Sequence, residues 1–292
     1  MTSLTQSSPV RLLQVSDLLL LLVALIWGTS YGVAKQALAF YPVLGFLALR
    51  FCITFVLLAP QLRGAGRRAW SPGLPLGLVL LAIFLCETYG VQLTTASNAA
   101  FLISLCVVFT PLVEWLLLGQ RPAVDQLPAV VLSLLGAWLI SSGVELQFGL
   151  GDGLMLAAAL LRAFQVCLTR KLTGGLDIPP LALTAVQAGV IGFGCLILGL
   201  LLPGGLPPLP TTSAFWIGSL YLVLFATLFA FYVQNWALGR SSPTRVSLLM
   251  GSEPLFGALF AVWWLNETLS FQAWLGGLLI VAATVWTALA RR

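Results

Sequence analysis

Apolar runs of about twenty residues, parted by short polar steps, fill the chain almost from end to end. A helix needs about 20 mostly apolar residues to cross a bilayer. The pattern predicts ten such spans, over 17–38, 43–62, 74–93, 97–118, 127–146, 152–172, 180–202, 213–237, 243–265 and 271–289. The steps between them carry proline and glycine, as at Tyr41-Pro42, Ser71-Pro72, Ile178-Pro179-Pro180 and Pro207-Pro208, residue types that stop helices. The run after Asp17 is too long for the core of a signal peptide and reads as the first span. Nothing remains for a soluble domain or a low-complexity tract.

The segment Thr94 to Gln120 returns later as Ser241 to Glu267. Laid on one another, Ser97 meets Thr244, Phe109 meets Phe256 and Gln120 meets Glu267; each copy holds a proline and closes on a short polar step. A long internal echo points to one unit used twice. Residues 1–147 would hold five spans and 148–292 the other five. An odd number per unit makes the second copy enter from the opposite face, a plan common in secondary transporters, with the substrate at the interface of the repeats near the midplane. Asp17 and Asp152 open the first and sixth spans, where a carboxylate accepts free N–H groups and faces the positive end of the helix dipole. The expected fold is therefore an all-α integral membrane protein of ten transmembrane helices in two inverted-topology five-helix repeats.

Composition agrees. The chain is 60% hydrophobic and 8% charged, against about 25% charged in soluble domains. The net charge of +5 is thus no sign of nucleic acid, and its meaning lies in its placement. One side of the ten-span arrangement would carry Arg11, Arg63, Arg67, Arg68, Arg121, Arg170, Lys171, Arg240, Arg245, Arg291 and Arg292; the other would carry Lys35. By the positive-inside rule both termini are expected in the cytoplasm, with the chain in the cell's inner (plasma) membrane. The five cysteines fall inside apolar runs and read as small fillers. With no histidine, zinc and Ser-His-Asp chemistry lack their usual parts. No phosphate-binding loop of the Walker type occurs. Gly149-Leu150-Gly151-Asp152 matches the G-x-G-D string of intramembrane aspartyl proteases, but Asp17, Asp125 and Asp177 sit at helix ends or in a loop, so no second membrane aspartate completes a dyad. No enzyme activity, metal or cofactor is expected.

Charges at bilayer depth are costly, by about 2.5–3.5 kcal/mol each at the centre on insertion scales, so each needs a reason. Arg162 lies about 15 Å into the sixth span at 1.5 Å per residue, and Glu253 lies at similar depth in the ninth. Glu87 and Arg50 are also inside spans. Arg162 or Glu253 could meet a zwitterionic or anionic substrate, and Glu253 is the candidate for a coupling proton; the alternative is a buried ion pair joining helices. Polar and aromatic side chains gather on the first, third, fourth, sixth, eighth and ninth spans. The candidate substrate-binding residues are Trp27, Ser30, Tyr31, Glu87, Asn98, Arg162, Gln165, Tyr232, Asn235 and Glu253. Pro111 and Pro254 interrupt spans, which is tolerated at depth where neighbours or a cavity re-satisfy the backbone, and are the candidate gates. Glu114 is near enough to the cytoplasmic end to snorkel. Gly276-Gly277 suits close helix packing or a dimer face; monomer and homodimer both stay open.

Trp27-Gly28-Thr29-Ser30-Tyr31 followed by Lys35, then Pro42, then Leu47-Ala48-Leu49-Arg50-Phe51, resembles the EamA family of the drug/metabolite transporter superfamily. Thr94 to Ala100 resembles that family's fourth-helix opening, and Leu118-Gly119-Gln120 and Asn266-Glu267 resemble its L-G-E step. Gln120 departs from the usual Glu, Val107 from a frequent Pro, and Leu161-Arg162-Ala163 from an aromatic-Ala pair. The resemblance covers nearly the whole chain. It implies a ten-helix carrier whose six polar spans line a central cavity, commonly an exporter of amino acids or related metabolites; the superfamily includes aromatic amino acid exporters of the YddG type. The expected partners are a small-molecule substrate and the lipid bilayer. Export of amphipathic drugs or cations, carriage of an anionic metabolite, and a non-transporting sensor or assembly role are the alternatives, and flux in liposomes separates the last from the others.

Overall fold

The computed structural model describes residues 15–94, 96–121, 124–141, 149–265 and 270–289. These residues are 86% helical, with no strand among them. The helices are α1 (Val15–Leu38), α2 (Val43–Leu58), α3 (Trp70–Leu93), α4 (Ala96–Ser104), α5 (Cys106–Leu118), α6 (Leu127–Ser141), α7 (Leu150–Thr173), α8 (Pro180–Leu201), α9 (Ser213–Tyr221), α10 (Ala230–Leu238), α11 (Pro243–Met250), α12 (Glu253–Leu265) and α13 (Phe271–Leu289). A π-helical stretch, Leu222–Phe229, joins α9 to α10. Among the described residues, seven helical stretches are long and apolar enough to cross a membrane; α6 and α13 are apolar but shorter.

Local chemistry sets several of these boundaries. Pro180 and Pro243 occupy the first turns of α8 and α11, where a missing N–H costs nothing. Ser242 caps α11 by accepting the Arg245 N–H at 3.2 Å. Pro254 has no N–H to give the Met250 carbonyl, four residues back, and its ring crowds that carbonyl; α11 ends at Met250 and α12 begins at Glu253. The echoed segment is broken as well, at Leu105 between α4 and α5, and Leu105 meets Ser252 in the same alignment. The expected fourth and ninth spans are thus each two shorter helices. Asn266-Glu267, Arg11, Arg291 and Arg292 lie outside the described residues.

Long-range polar contacts tie the helices together at each end of the bundle. At one end, Arg245 Nη2 pairs with Asp17 Oδ2 at 3.0 Å and Arg245 Nη1 donates to the Thr287 carbonyl. Glu114 Oε2 accepts the Thr244 N–H at 3.0 Å and the Thr244 hydroxyl. Arg170 bonds the Leu238 and Gly239 carbonyls, and Trp286 Nε1 the Asp125 carbonyl. At the other end, Asp152 Oδ1 accepts from Thr94 Oγ1 at 2.6 Å while its Oδ2 accepts the Gly149 N–H at 3.1 Å, and Tyr41 donates to the Pro207 carbonyl.

One expectation is corrected here. Glu114 is buried and does not snorkel: its carboxylate caps α11, where the dipole is positive. Arg245 sits in α11, near the start of the expected ninth span, also buried, and binds Asp17. Gly276 serves close helix packing, as its position suggested. A Cβ there would lie 2.9 Å from Leu139 Cβ and from the Ile140 backbone nitrogen, so its missing side chain lets α13 lie directly on α6. Side chains facing away from the bundle are apolar, among them Leu116, Ile197, Leu201, Trp263 and Phe271, all well exposed. The largest core cluster runs through the middle of the bundle and holds Trp27, Phe46, Phe51, Ile83, Phe231 and Leu249. All five cysteines are free thiols.

Candidate functional site

The site starts from one close helix crossing. A Cβ on Gly28 would lie 2.6 Å from the Glu253 carbonyl oxygen and 2.8 Å from the Gly257 nitrogen. Only glycine lets α1 approach α12 this closely, and the crossing falls one residue after Trp27 and at the first turn of α12, which carries Glu253. Trp27 is buried and its indole N–H donates to the Ala226 carbonyl at 2.9 Å. Ala226 belongs to the π-helical turn. The i→i+5 pattern widens a helix locally and recurs at functional sites. Here the same turn presents Thr227, whose hydroxyl accepts from Arg50 Nε at 2.7 Å. The Arg50 guanidinium lies 5.2 Å from the Phe51 ring centre and 5.5 Å from that of Phe84. Among the described residues, no carboxylate is within ion-pair distance of it.

Arg162 projects from the middle of α7 into the same region. Its Nη1 is 3.3 Å from Glu253 Oε2 and its Nε is 3.6 Å from Glu87 Oε2. Its guanidinium carbon stands 4.8 Å from the Trp27 ring centre, in cation–π range. Arg50, Arg162, Glu87 and Glu253 together carry no formal net charge, which makes two cations and two anions tolerable away from water. Ser30 Oγ donates back to the Trp27 carbonyl at 2.8 Å. Four buried polar atoms here have no hydrogen-bond partner: Tyr31 Oη, Glu87 Oε2, Gln165 Oε1 and Glu253 Oε1.

Three adjoining cavities of about 40, 30 and 30 Å³ thread this cluster. The central one is walled by the four charges, Trp27, Tyr31 and Gln165. A second shares Arg162, Gln234 and Glu253 with it and continues to Ser104, Ser247 and Pro254. A third shares Ser30, Tyr31, Arg50 and Glu87 and continues to Leu38 and Val91, near the Thr94–Asp152 end. Each has room for two or three waters, at about 10–15 Å³ of such space per water. Helices have closed around the site, and an organic solute would need them to part.

The EamA-like transporter family matches the chain twice, over residues 14–142 and 149–289. The chain belongs to that family. It is a multi-pass membrane protein and a transporter of small molecules. An uncharacterized transporter of Archaeoglobus fulgidus is 30% identical over 93% of this chain and 96% of its own length. A second from the same organism is 29% identical over 92% and 84%. A probable terminal-alkyne amino-acid exporter of Streptantibioticus cattleyicolor is 24% identical over 91% of each chain. A solved crystal structure superposes with a TM-score of 0.76 at 18% identity, covering 93% of this chain and 95% of that one, which establishes the shared fold.

In this EamA-family protein, Trp27, Ser30, Tyr31, Glu87, Arg162, Gln165 and Glu253 come together on the central cavity, and Pro254 borders the adjoining one. Asn235 does not join them: its amide donates to Thr184 Oγ1 and Gln187 Oε1, both at 3.0 Å, and ties α10 to α8. Tyr232 packs against the main core. Pro111 is buried within α5, away from the cavities described. Asn98 is in α4, and its side chain is outside the described residues. Sequence reasoning left out Arg50, Gln234 and Ser247 as site residues, although all three line these cavities. Arg50 carried a signal, being an intramembrane charge in a run without a carboxylate. Gln234 was among the polar residues gathered on the eighth span, and Ser247 carried no signal that set it apart from other small polar residues.

Proposed function

We propose that the protein exports small zwitterionic metabolites, amino acids first among them, by alternating access around the central cavity. The observation that carries this reading is the pairing of both charge signs in one buried cavity. Arg50, free of carboxylate partners among the described residues, suits a substrate carboxylate. Glu87 and Glu253 suit an amino group. Trp27, Phe84 and Phe231 offer apolar surface to a side chain. The amino-acid exporter among the relatives supports the substrate class at low identity.

Support for ten spans in two inverted units comes from several directions. The family matches the chain twice in tandem. Breaks fall at Leu105 and at Gly251-Ser252, which correspond in the repeat alignment. The two groups of end contacts also sort as ten alternating crossings require: Asp17, Glu114, Asp125, Arg170, Leu238, Arg245 and Thr287 at one end, Tyr41, Thr94, Asp152 and Pro207 at the other. With the arginine-rich loops at the first end, both termini face the cytoplasm.

Counterflow in proteoliposomes across labelled amino acids tests the function. Exchange of at least one zwitterionic amino acid, competed by its unlabelled form, is expected. Silence across the panel, with exchange of cationic drugs or phosphorylated metabolites instead, overturns the substrate class.

A further inference from the structure

The Arg162 guanidinium is poorly held for a buried cation. It has five N–H donors, and one hydrogen bond is formed, to Glu253 at 3.3 Å. Its approach to Glu87 is 3.6 Å. Charge-assisted bonds settle near 2.7–2.9 Å. Arg245, by contrast, reaches Asp17 at 3.0 Å and also bonds a backbone carbonyl. Around Arg162, Glu87 Oε2, Glu253 Oε1 and Gln165 Oε1 are buried acceptors without a hydrogen bond, and all of them line the central cavity. Three acceptor oxygens, two of them on carboxylates, share one cavity with this loosely bound donor and the unpartnered Tyr31 hydroxyl. Glu87 comes from the first match to the family and Glu253 and Arg162 from the second, so the Arg162–Glu87 contact joins the two.

We propose that Arg162 is a tethered stand-in for the substrate's ammonium group, occupying the Glu87–Glu253 subsite when no substrate is bound and being displaced from it on binding. This rests on the amino-acid reading above. A primary ammonium is smaller than a guanidinium and directs three donors tetrahedrally, which suits three separated oxygens better than a planar fork does. The displaced guanidinium, on a long side chain, stays within the same cavity and turns to the substrate carboxylate. Charge is conserved in both states. The empty carrier moves with Arg162 between the two glutamates, and the loaded carrier moves with the substrate ammonium there.

The consequence separates two transport modes. Exchange needs only loaded carriers to cross; net efflux needs the empty carrier to return. In Arg162→Gln the empty site would leave both carboxylates without a cation between them, and the return of the empty carrier should slow about a hundredfold, the rate factor that the cost of an unpaired charge at bilayer depth corresponds to. The expected result is net efflux of preloaded L-phenylalanine reduced about that much, with L-phenylalanine counterflow reduced less, about tenfold, for the lost guanidinium contact to the substrate carboxylate. Arg162→Lys, which keeps the cation, restores net efflux. Equal loss of both modes in a variant that still elutes as a monodisperse species, or retention of both, overturns the proposal.

A test on the unaltered protein does not depend on the variant folding. Phenethylamine, which has the ammonium without the carboxylate, should compete with L-phenylalanine counterflow. 3-Phenylpropionate, which has the carboxylate without the ammonium, should compete far less. Equal competition, or the reverse order, refutes the ammonium subsite while leaving amino-acid transport in place. A wild type that exchanges no amino acid sinks the transport reading itself, and this inference with it.

Discussion

Arg245 to Met is the sharpest test of how the Asp17–Arg245 end of the bundle is held. Arg245 and Asp17 side chains are 6% and 2% exposed, so the pair belongs to the buried regime. Exposed pairs contribute about 0.2–1 kcal/mol. Removing one member of a buried pair costs about 3–5 kcal/mol, because the remaining charge stays desolvated. Met has similar length and no charge, so lost packing is a small part of the effect. Arg245→Met also takes the donor from the Thr287 carbonyl. At about 2 °C per kcal/mol for a large chain, the melting temperature should fall by about 6–10 °C. Asp17→Asn keeps the Arg245–Thr287 contact and should cost less. The double variant Asp17→Asn, Arg245→Met should recover part of the loss, since no desolvated charge is left from the pair. The assay is thermal unfolding of detergent-purified protein followed by tryptophan fluorescence, at one scan rate. A single-variant shift under about 2 °C, or a double variant worse than the sum of the singles, would refute the reasoning.

Gly28→Ala puts a methyl 2.6 Å from the Glu253 carbonyl oxygen; overpacking of about 1–3 kcal/mol should lower the melting temperature and cut counterflow, and an unchanged rate would show that the α1–α12 crossing is slack. Asn235→Leu removes two hydrogen bonds to α8 and leaves Thr184 and Gln187 polar atoms buried. It should cost about 1–3 kcal/mol with the half-saturation constant for substrate unchanged; a large rise in that constant would put Asn235 in the site. Glu114→Ala strips the carboxylate cap from α11 and should cost about 1–2 kcal/mol, seen as faster amide exchange at Thr244 and Arg245. Arg50→Lys loses the planar fork between Phe51 and Phe84 and the Nε bond to Thr227. Substrate affinity should drop about tenfold, an amount within the reach of one charge-assisted bond, with competition by 3-phenylpropionate weakened most.

The apolar runs by themselves determined that this is a helical membrane protein, and the punctuation of those runs placed most helix boundaries. The reason is local: a bilayer demands a long apolar stretch and internally satisfied backbone, and proline acts on its own turn. Depth was legible too, so Arg162, Glu87 and Glu253 stood out as charges that needed partners. Rotation about each helix axis was not legible. In a lipid-embedded bundle both the lipid face and the packed face are apolar, so the amphipathic stripe that orients a helix in a soluble protein is weak. That is why Asn235 read as a cavity residue and instead holds α8, and why Glu114 read as a surface charge and instead caps α11. Nor could any local pattern reveal the π turn that brings the Ala226 carbonyl to Trp27 and Thr227 to Arg50, or the glycine crossing that sets Glu253 beside them. Those depend on side chains from residues 27, 50, 87, 162 and 253 meeting across helices far apart in the chain, and only the tertiary packing decides which charge faces which.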